Sequence, residues 1–310
     1  MRSGDGGRAR NGYDRYRFLR AYDTVLAHWP ADRETTEVGT EYGTTCVHRC
    51  GPRDAPPVLL LPGGGATSVS WFAQAAELAR THRVHAADLI GDPGRSGTSA
   101  DRPVRTVADL TAWLDALLDG LGITAPVALG GHSYGGWIAL HYALHAPARV
   151  DRLFLLDPTQ CFAGFRPAYL LRALPMLLRP APRRVRAFLE WETGGAGLDP
   201  DWLALQEAAA GFPAARPVTG PRPAAGALRA LDLPVLLLLA GNSRAHDAVK
   251  VAARAGEVLA RAETVVVRGV SHHALPHRAP PGVGRRVGGF LRGVGGGAGG
   301  SGGSAVAGGA

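Results

Sequence analysis

The stretch PVALGGHSYGGWIALHYALH, residues 126–145, decides the fold. A short apolar run, Val127 to Leu129, leads into Gly131-His132-Ser133-Tyr134-Gly135. Beyond Gly136, the residues Trp137, Ile138, Leu140, Ala143 and Leu144 recur on one helix face. This is a strand that reverses directly into a helix. Such a turn forces its central residue into a strained conformation, and only neighbours without side chains let the two backbones pass that close. Ser133 is thereby held out at the end of a sheet, with a helix N-terminus beneath it. A second Gly-x-Ser-x-Gly match, at Gly299, Ser301 and Gly303, has no strand before it and is set aside.

Working outward, the same alternation continues on both sides. Upstream lie a helix over Tyr13 to Trp29, strand-like pieces near Glu37 to Arg49, and the continuous apolar run Val58 to Leu61, which suits a strand covered on both faces. That run ends in Pro62-Gly63-Gly64-Gly65. A helix from about Ser70 to Thr81, the strand Arg83 to Asp88, a loop through Asp92-Pro93-Gly94-Arg95-Ser96 and a helix from about Val107 to Leu121 complete the first half. Downstream, Val150 to Leu156 is another strand, closing at Asp157-Pro158. Strands alternating with helices of this length predict an α/β fold, a mostly parallel sheet with helices on both faces.

The rhythm breaks over residues 158–230, where helix-like pieces are interrupted by prolines such as Pro167, Pro175, Pro182 and Pro200. It resumes with a strand over Pro234 to Ala240, a helix from about Ala248 to Arg261, a strand over Glu263 to Val267 and a last helix near Val283 to Arg292. The expected organisation is therefore a core of residues 13–157 and 231–294 carrying a helical insertion, 158–230. Residues 1–12 and the Gly-rich tail, 295–310, are expected to be disordered, because they carry too little apolar surface to bury.

The chain has 310 residues, enough for one large domain with an inserted subdomain. Its charged, aromatic N-terminus lacks the features of a secretory signal, and no apolar run is long enough to span a membrane, so a soluble cytoplasmic protein is expected. The formal charge is +8, yet Lys250 is the only lysine and the arginines are scattered without a nucleic-acid-binding signature. No nucleic acid partner is expected. Cys46-Val-His48-Arg-Cys50 has metal-like residue types but no second cluster, and His141 and His145 lack the glutamate a zinc protease places between them. Neither a metal nor a cofactor is expected, and there is no dinucleotide fingerprint. Asp88 and Asp92 read as turn formers. The leucine-rich run from Tyr169 to Leu178, followed by Arg179, Arg183, Arg184 and Arg186, reads as a stripe packing a cap over the core, so peripheral membrane contact is not expected.

A serine hydroxyl is a poor nucleophile until a base accepts its proton, and histidine suits that role because it titrates near working pH. Among eleven histidines, His272 follows the last strand through a glycine-containing turn, at the sheet end where Ser133 should emerge. His273 is the alternative base.

In the Pro62-Gly63-Gly64-Gly65 loop, Asp92-Pro93-Gly94-Arg95-Ser96, Gly131-His132-Ser133-Tyr134-Gly135 and His272, the chain resembles the α/β-hydrolases with a cap domain, nearest to bacterial carboxylesterase-like members. The resemblance covers roughly residues 40 to 292. It implies a serine hydrolase cleaving esters of small to medium apolar substrates through an acyl-enzyme, with backbone N–H groups of Gly64 and Tyr134 forming an oxyanion hole. Two positions depart from the family pattern. Pro62-Gly63 stands where many relatives have His-Gly, and Ser243 stands where the family's acid usually follows the strand ending at Ala240. Asp157, at a strand end that some relatives use for the acid, is the expected replacement. Asp247 is the alternative, although it also reads as a helix N-cap before Ala248. A catalytically inactive ligand-binding protein of the same fold, and acyl transfer or C–C bond hydrolysis by the same residues, are the competing functions.

Overall fold

The computed structural model describes residues 13–278, 280 and 282–293; the expectations of disorder over 1–12 and over the tail 295–310 lie outside the described residues. Nine strands form one sheet: β1 (Glu34–Thr40), β2 (Gly43–Cys50), β3 (Pro57–Leu61), β4 (Arg83–Ala87), β5 (Gly97–Thr98), β6 (Val127–His132), β7 (Val150–Leu156), β8 (Val235–Ala240) and β9 (Ala262–Val267). Their order is β1-β2-β4-β3-β6-β7-β8-β9, with the short β5 paired to β2. Neighbours from β4 through β3 to β9 run parallel, whereas β1, β4 and β5 pair with β2 antiparallel. The strand-like pieces near Glu37 to Arg49 thus form a hairpin, turning at Glu41-Tyr42 into Gly43, whose φ of 127° only glycine adopts without strain.

Period-two alternation along the central strands feeds two cores. Leu59, Leu61, Leu237 and Leu239 point to one face, under α3 (Val107–Gly120), α4 (Ser133–His145) and α9 (Ala248–Val258). Val58, Leu60, Leu236 and Leu238 point to the other, under α1 (Arg15–Leu26), α2 (Phe72–Leu78), α10 (Leu275–Arg278) and α11 (Gly282–Leu291). Burial on both faces is why these strands are continuously apolar. The helix expected over Ser70 to Thr81 is shorter, a 3-10 turn over Ser68–Trp71 followed by α2.

Between β7 and β8 the chain forms α5 (Pro167–Leu178), α6 (Pro182–Thr193), α7 (Pro200–Ala208) and α8 (Ala225–Arg229). Tyr169, Ala173, Val185, Phe188, Leu189, Trp202 and Leu203 build a third cluster, which reaches the loop after β8 at Ala245. Here one expectation is corrected. The leucines of α5 do not pack inward: the helix buries Tyr169 and Ala173, one turn apart, and leaves Leu170, Leu171, Leu174, Leu177 and Leu178 exposed. The inward stripe is filled by the aromatic and small residues, which rotates the leucines to solvent.

Candidate active site

Parallel strands gather their C-terminal ends at one edge of the sheet, where open α/β sheets carry their binding crevice. The registers align Leu61 with Gly131, His132 with Leu156, and Ala240 with Val267. Ser133 follows β6, Asp157 follows β7, and His272 lies in the loop after β9. Topology alone therefore brings the three together from positions 139 residues apart in sequence.

Ser133 has φ 51°, in the left-handed region that non-glycine residues avoid. The surrounding glycines permit this. A Cβ on Gly131 would run into the Gly135 carbonyl, and one on Gly135 into the carbonyl oxygens of Leu61 and Pro62. A Cβ on Gly63 would come within 2.8 Å of His132 Nδ1, so the Pro62-Gly63 loop is held close by its lack of a side chain. Asp157, with φ 43°, is a second strained residue at the same edge.

Ser133 Oγ lies 2.9 Å from His272 Nε2, and His272 Nδ1 lies 2.7 Å from Asp157 Oδ2. Because a carboxylate only accepts, Nδ1 of His272 donates to it, which leaves Nε2 free to accept the serine proton. Asp157 and His272 are almost wholly buried. Burial alone would raise the Asp157 pKa, but hydrogen bonds from His246 and His272, together with their charges, hold the carboxyl well below the usual range. A serine, an imidazole and an ionised carboxylate in this order can transfer a proton from the hydroxyl and stabilise the imidazolium that results.

Around this chain of three, the backbone of the histidine loop is fixed from two sides. Burial, reinforced by neighbouring His272, lowers the His132 pKa, so His132 is neutral and its Nε2 donates to the His272 carbonyl at 3.0 Å. Glu192 of α6, buried, accepts the backbone N–H of His272 at 3.0 Å and of His273 at 3.3 Å. His273 turns its ring to Tyr169, whose hydroxyl lies 3.1 Å from Nε2. Asp247 caps α9, accepting from the N–H groups of Val249 and Lys250, and lies 3.6 Å from Arg166. Ser243 Oγ, at the family's usual acid position, is buried without a hydrogen-bond partner among the described residues.

Two residues escaped the sequence reading. His246 Nε2 lies 2.9 Å from Asp157 Oδ1, which also accepts the Ala240 N–H at 2.9 Å. The criterion that singled out His272, a histidine in a loop at the C-terminal sheet edge, applies equally to His246. Glu192 left no such signal, because its contact depends on how α6 folds back over the core.

On the opposite side of Ser133, Tyr134 is the second residue of α4, where backbone N–H groups have no intrahelical acceptor. Gly64 adjoins it: a Cβ there would lie 3.4 Å from that of Tyr134. In the loop, the Gly65 N–H is taken by Asp92 Oδ2 at 3.1 Å and the Ala66 N–H by the Gly63 carbonyl at 3.0 Å, whereas the Gly64 N–H has no acceptor among the described residues. Burial pushes the Asp92 carboxyl up to about 6, against the lowering effect of the Gly65 bond. The cavity beside Ser133 has a volume of about 30 Å³, and its walls include Gly63, Gly64, Trp202, Gln206 and His277. No cluster of three or more His, Cys, Asp or Glu side chains suited to a metal ion occurs among the described residues.

Known proteins resemble this chain in sequence and in fold over nearly its whole length. The chain is similar to carboxylesterase YbfK of Bacillus subtilis, 29% identical over 286 residues, which cover 89% of this chain and 94% of that one. The crystal structure of that protein, carboxylesterase CesB (YbfK), superposes with a TM-score of 0.82 over 90% of this chain and 98% of the other. The crystal structure of naproxen esterase from Bacillus subtilis, 27% identical, gives a TM-score of 0.79 over 94% of this chain and 100% of the other. A model of the alpha/beta hydrolase family matches residues 58–285, a span that takes in Ser133, Asp157 and His272 alike, and the chain belongs to that family.

Proposed function

We propose that the protein is a serine carboxylesterase in which Ser133 attacks the ester carbonyl and His272 takes the proton and returns it to the leaving alcohol. Asp157 holds His272 in the required tautomer, and the N–H groups of Tyr134 and Gly64 receive the oxyanion. The observation that carries this reading is the continuous hydrogen-bonded path from Ser133 Oγ through both nitrogens of His272 to Asp157. Ester hydrolysis agrees with the similarity to two Bacillus subtilis carboxylesterases over most of their length.

In the same reading, residues 158–230 form a cap on a core of residues 13–157 and 231–294, and small to medium apolar esters are the substrates. The cavity beside Ser133 is narrow, so a bulky ester should enter with a shift of the inserted helices. The binding-only alternative drew its support from Ser243. A carboxylate 2.7 Å from His272 weighs against it.

The test is hydrolysis of p-nitrophenyl butyrate by the purified protein beside Ser133→Ala, Asp157→Asn and Asp247→Asn. Ser133→Ala and Asp157→Asn should each lose on the order of 10³-fold or more in kcat, while Asp247→Asn keeps its turnover apart from a small loss of helix stability. Collapse of Asp247→Asn with retention in Asp157→Asn would reassign the acid. A wild type as inactive as Ser133→Ala, and unlabelled by a fluorophosphonate, would leave a binding protein.

A further inference from the structure

Among the described residues, large apolar side chains exposed to solvent are few, and most of them lie together. Seven occur among the described residues: Tyr16, Val249 and five leucines of α5. Leu171 and Leu178 are the most open of the five, at 70% and 71% exposure, and Leu170, Leu174 and Leu177 complete the group. At 3.6 residues per turn the five share an arc of roughly 120° on one side of the helix. The other side carries Tyr169 and Ala173, which pack into the third cluster against α6. A solvated helix face dominated by leucine is a patch that soluble surfaces normally avoid.

The charge around this face has one sign. From Pro158 to Leu189 the sequence contains Arg166, Arg172, Arg179, Arg183, Arg184 and Arg186 and no aspartate, glutamate or lysine. Arg179 and Arg183 are exposed at the end of α5 and the start of α6, and neither has a carboxylate within ion-pair distance among the described residues. Arg184 holds the Arg179 carbonyl at 2.7 Å and likewise has no carboxylate partner among them. Arg166 and Arg186 do have acidic partners, Asp247 for the first and Glu190 and Glu207 for the second.

From these two observations we infer that the leucine face of α5, with Arg179 and Arg183 at its end, is a docking surface for an anionic lipid bilayer. Leucines facing outward on a surface helix can enter the boundary between headgroups and acyl chains, and unpaired arginines beside them attract lipid phosphates. A second copy of the chain would meet the same run of arginines with its own, which disfavours self-association through this face. The helix that docks is also the one whose Tyr169 packs on His273 and His272, so docking sets the bilayer against the element that covers the histidine loop. The inference does not depend on the protein being an esterase.

The experiment is co-sedimentation of the full chain with phosphatidylcholine vesicles containing phosphatidylglycerol, beside vesicles of phosphatidylcholine alone. The wild type should bind the anionic vesicles, bind the neutral ones more weakly, and be released by high salt. Leu171→Asp with Leu178→Asp should reduce binding at least about tenfold, and Arg179→Gln with Arg183→Gln should reduce it on anionic vesicles only. All four side chains are exposed, so these variants should keep the wild-type circular dichroism spectrum, which separates lost docking from lost folding. Failure of the wild type to bind anionic vesicles overturns the inference, as does binding that the leucine changes leave intact. A wild-type dimer in sedimentation velocity that Leu171→Asp with Leu178→Asp splits into monomers, without vesicle binding by the wild type, overturns it in favour of a self-interface.

Discussion

His246 Nε2 lies 2.9 Å from Asp157 Oδ1, so the buried carboxylate holds an imidazole on each of its oxygens. His272 uses one, and His246 fixes the other together with the Ala240 N–H. His246 is thus a positioning residue, acting on the serine only through Asp157. Replacing it by Ala should lower kcat about tenfold with a smaller change in KM, the equivalent of one hydrogen bond to a charged group. A loss of stability with kcat unchanged would make His246 a packing residue only.

Glu192 Oε1 accepts the His272 N–H and Oε2 the His273 N–H, which ties α6 to the loop that carries the base. In Glu192→Gln one acceptor becomes an amide NH₂ that faces a backbone donor. The loop must shift to avoid it, and kcat for p-nitrophenyl butyrate should fall about tenfold while the thermal midpoint drops by only a few degrees. Glu192→Asp, one methylene shorter, should lose at least as much, because it draws both oxygens away from the two N–H groups. If neither variant changes kcat, the clamp has no catalytic consequence.

What could be read from sequence follows from how local each cause is. Ser133 was legible because the glycines that its turn requires lie within three residues of it. The core strands were legible because burial on both faces makes Val58–Leu61 and Val235–Ala240 continuously apolar. The boundary between β1 and β2 is less legible, since only Gly43 marks the turn within the strand-like pieces near Glu37 to Arg49. Glu192 and the outward leucines of α5 depend on how four helices settle on the core. A sequence period gives the relative orientation of Tyr169 and Leu171, but it does not say which of the two faces inward.

His85, buried in β4, predicts how stability depends on pH. Burial, with Arg83 and Arg49 nearby, lowers its pKa to about 4. In the unfolded chain it should titrate near ~6.5. Between those values the unfolded state binds a proton that the folded state does not, so stability falls as pH falls from about 6.5 towards 4. His277, lowered to about 4 chiefly by burial, acts in the same direction. His85→Gln should remove at most about 2 kcal/mol of the loss between about pH 7.5 and pH 5 in urea unfolding, since a tenfold difference in proton affinity between the folded and unfolded states corresponds to about 1.4 kcal/mol. An identical pH dependence in the variant would show that His85 does not carry it.

Asp88 reads in sequence as a turn former after β4, but its side chain lies at the centre of a buried network. Its carboxylate accepts from Tyr22 Oη at 2.8 Å, from the Ser68 N–H at 2.8 Å and hydroxyl at 2.6 Å, and from the Arg95 N–H at 2.7 Å. Tyr22 lies in α1, Ser68 follows the Gly63–Gly65 loop, and Arg95 belongs to the loop that carries Asp92. One carboxylate therefore joins the N-terminal helix to two segments that border the serine. Asp88→Ala would take the shared acceptor from four donors, of which Tyr22 Oη still has His48 Nε2 at 2.6 Å, and should cost about 3–5 kcal/mol in urea unfolding. Tyr22→Phe removes a single donor and leaves Asp88 with three others, so it should cost only about 1–2 kcal/mol. The contrast between the variants is the test, because each also changes packing. If Asp88→Ala costs no more than Tyr22→Phe, the carboxylate is not what holds these segments together.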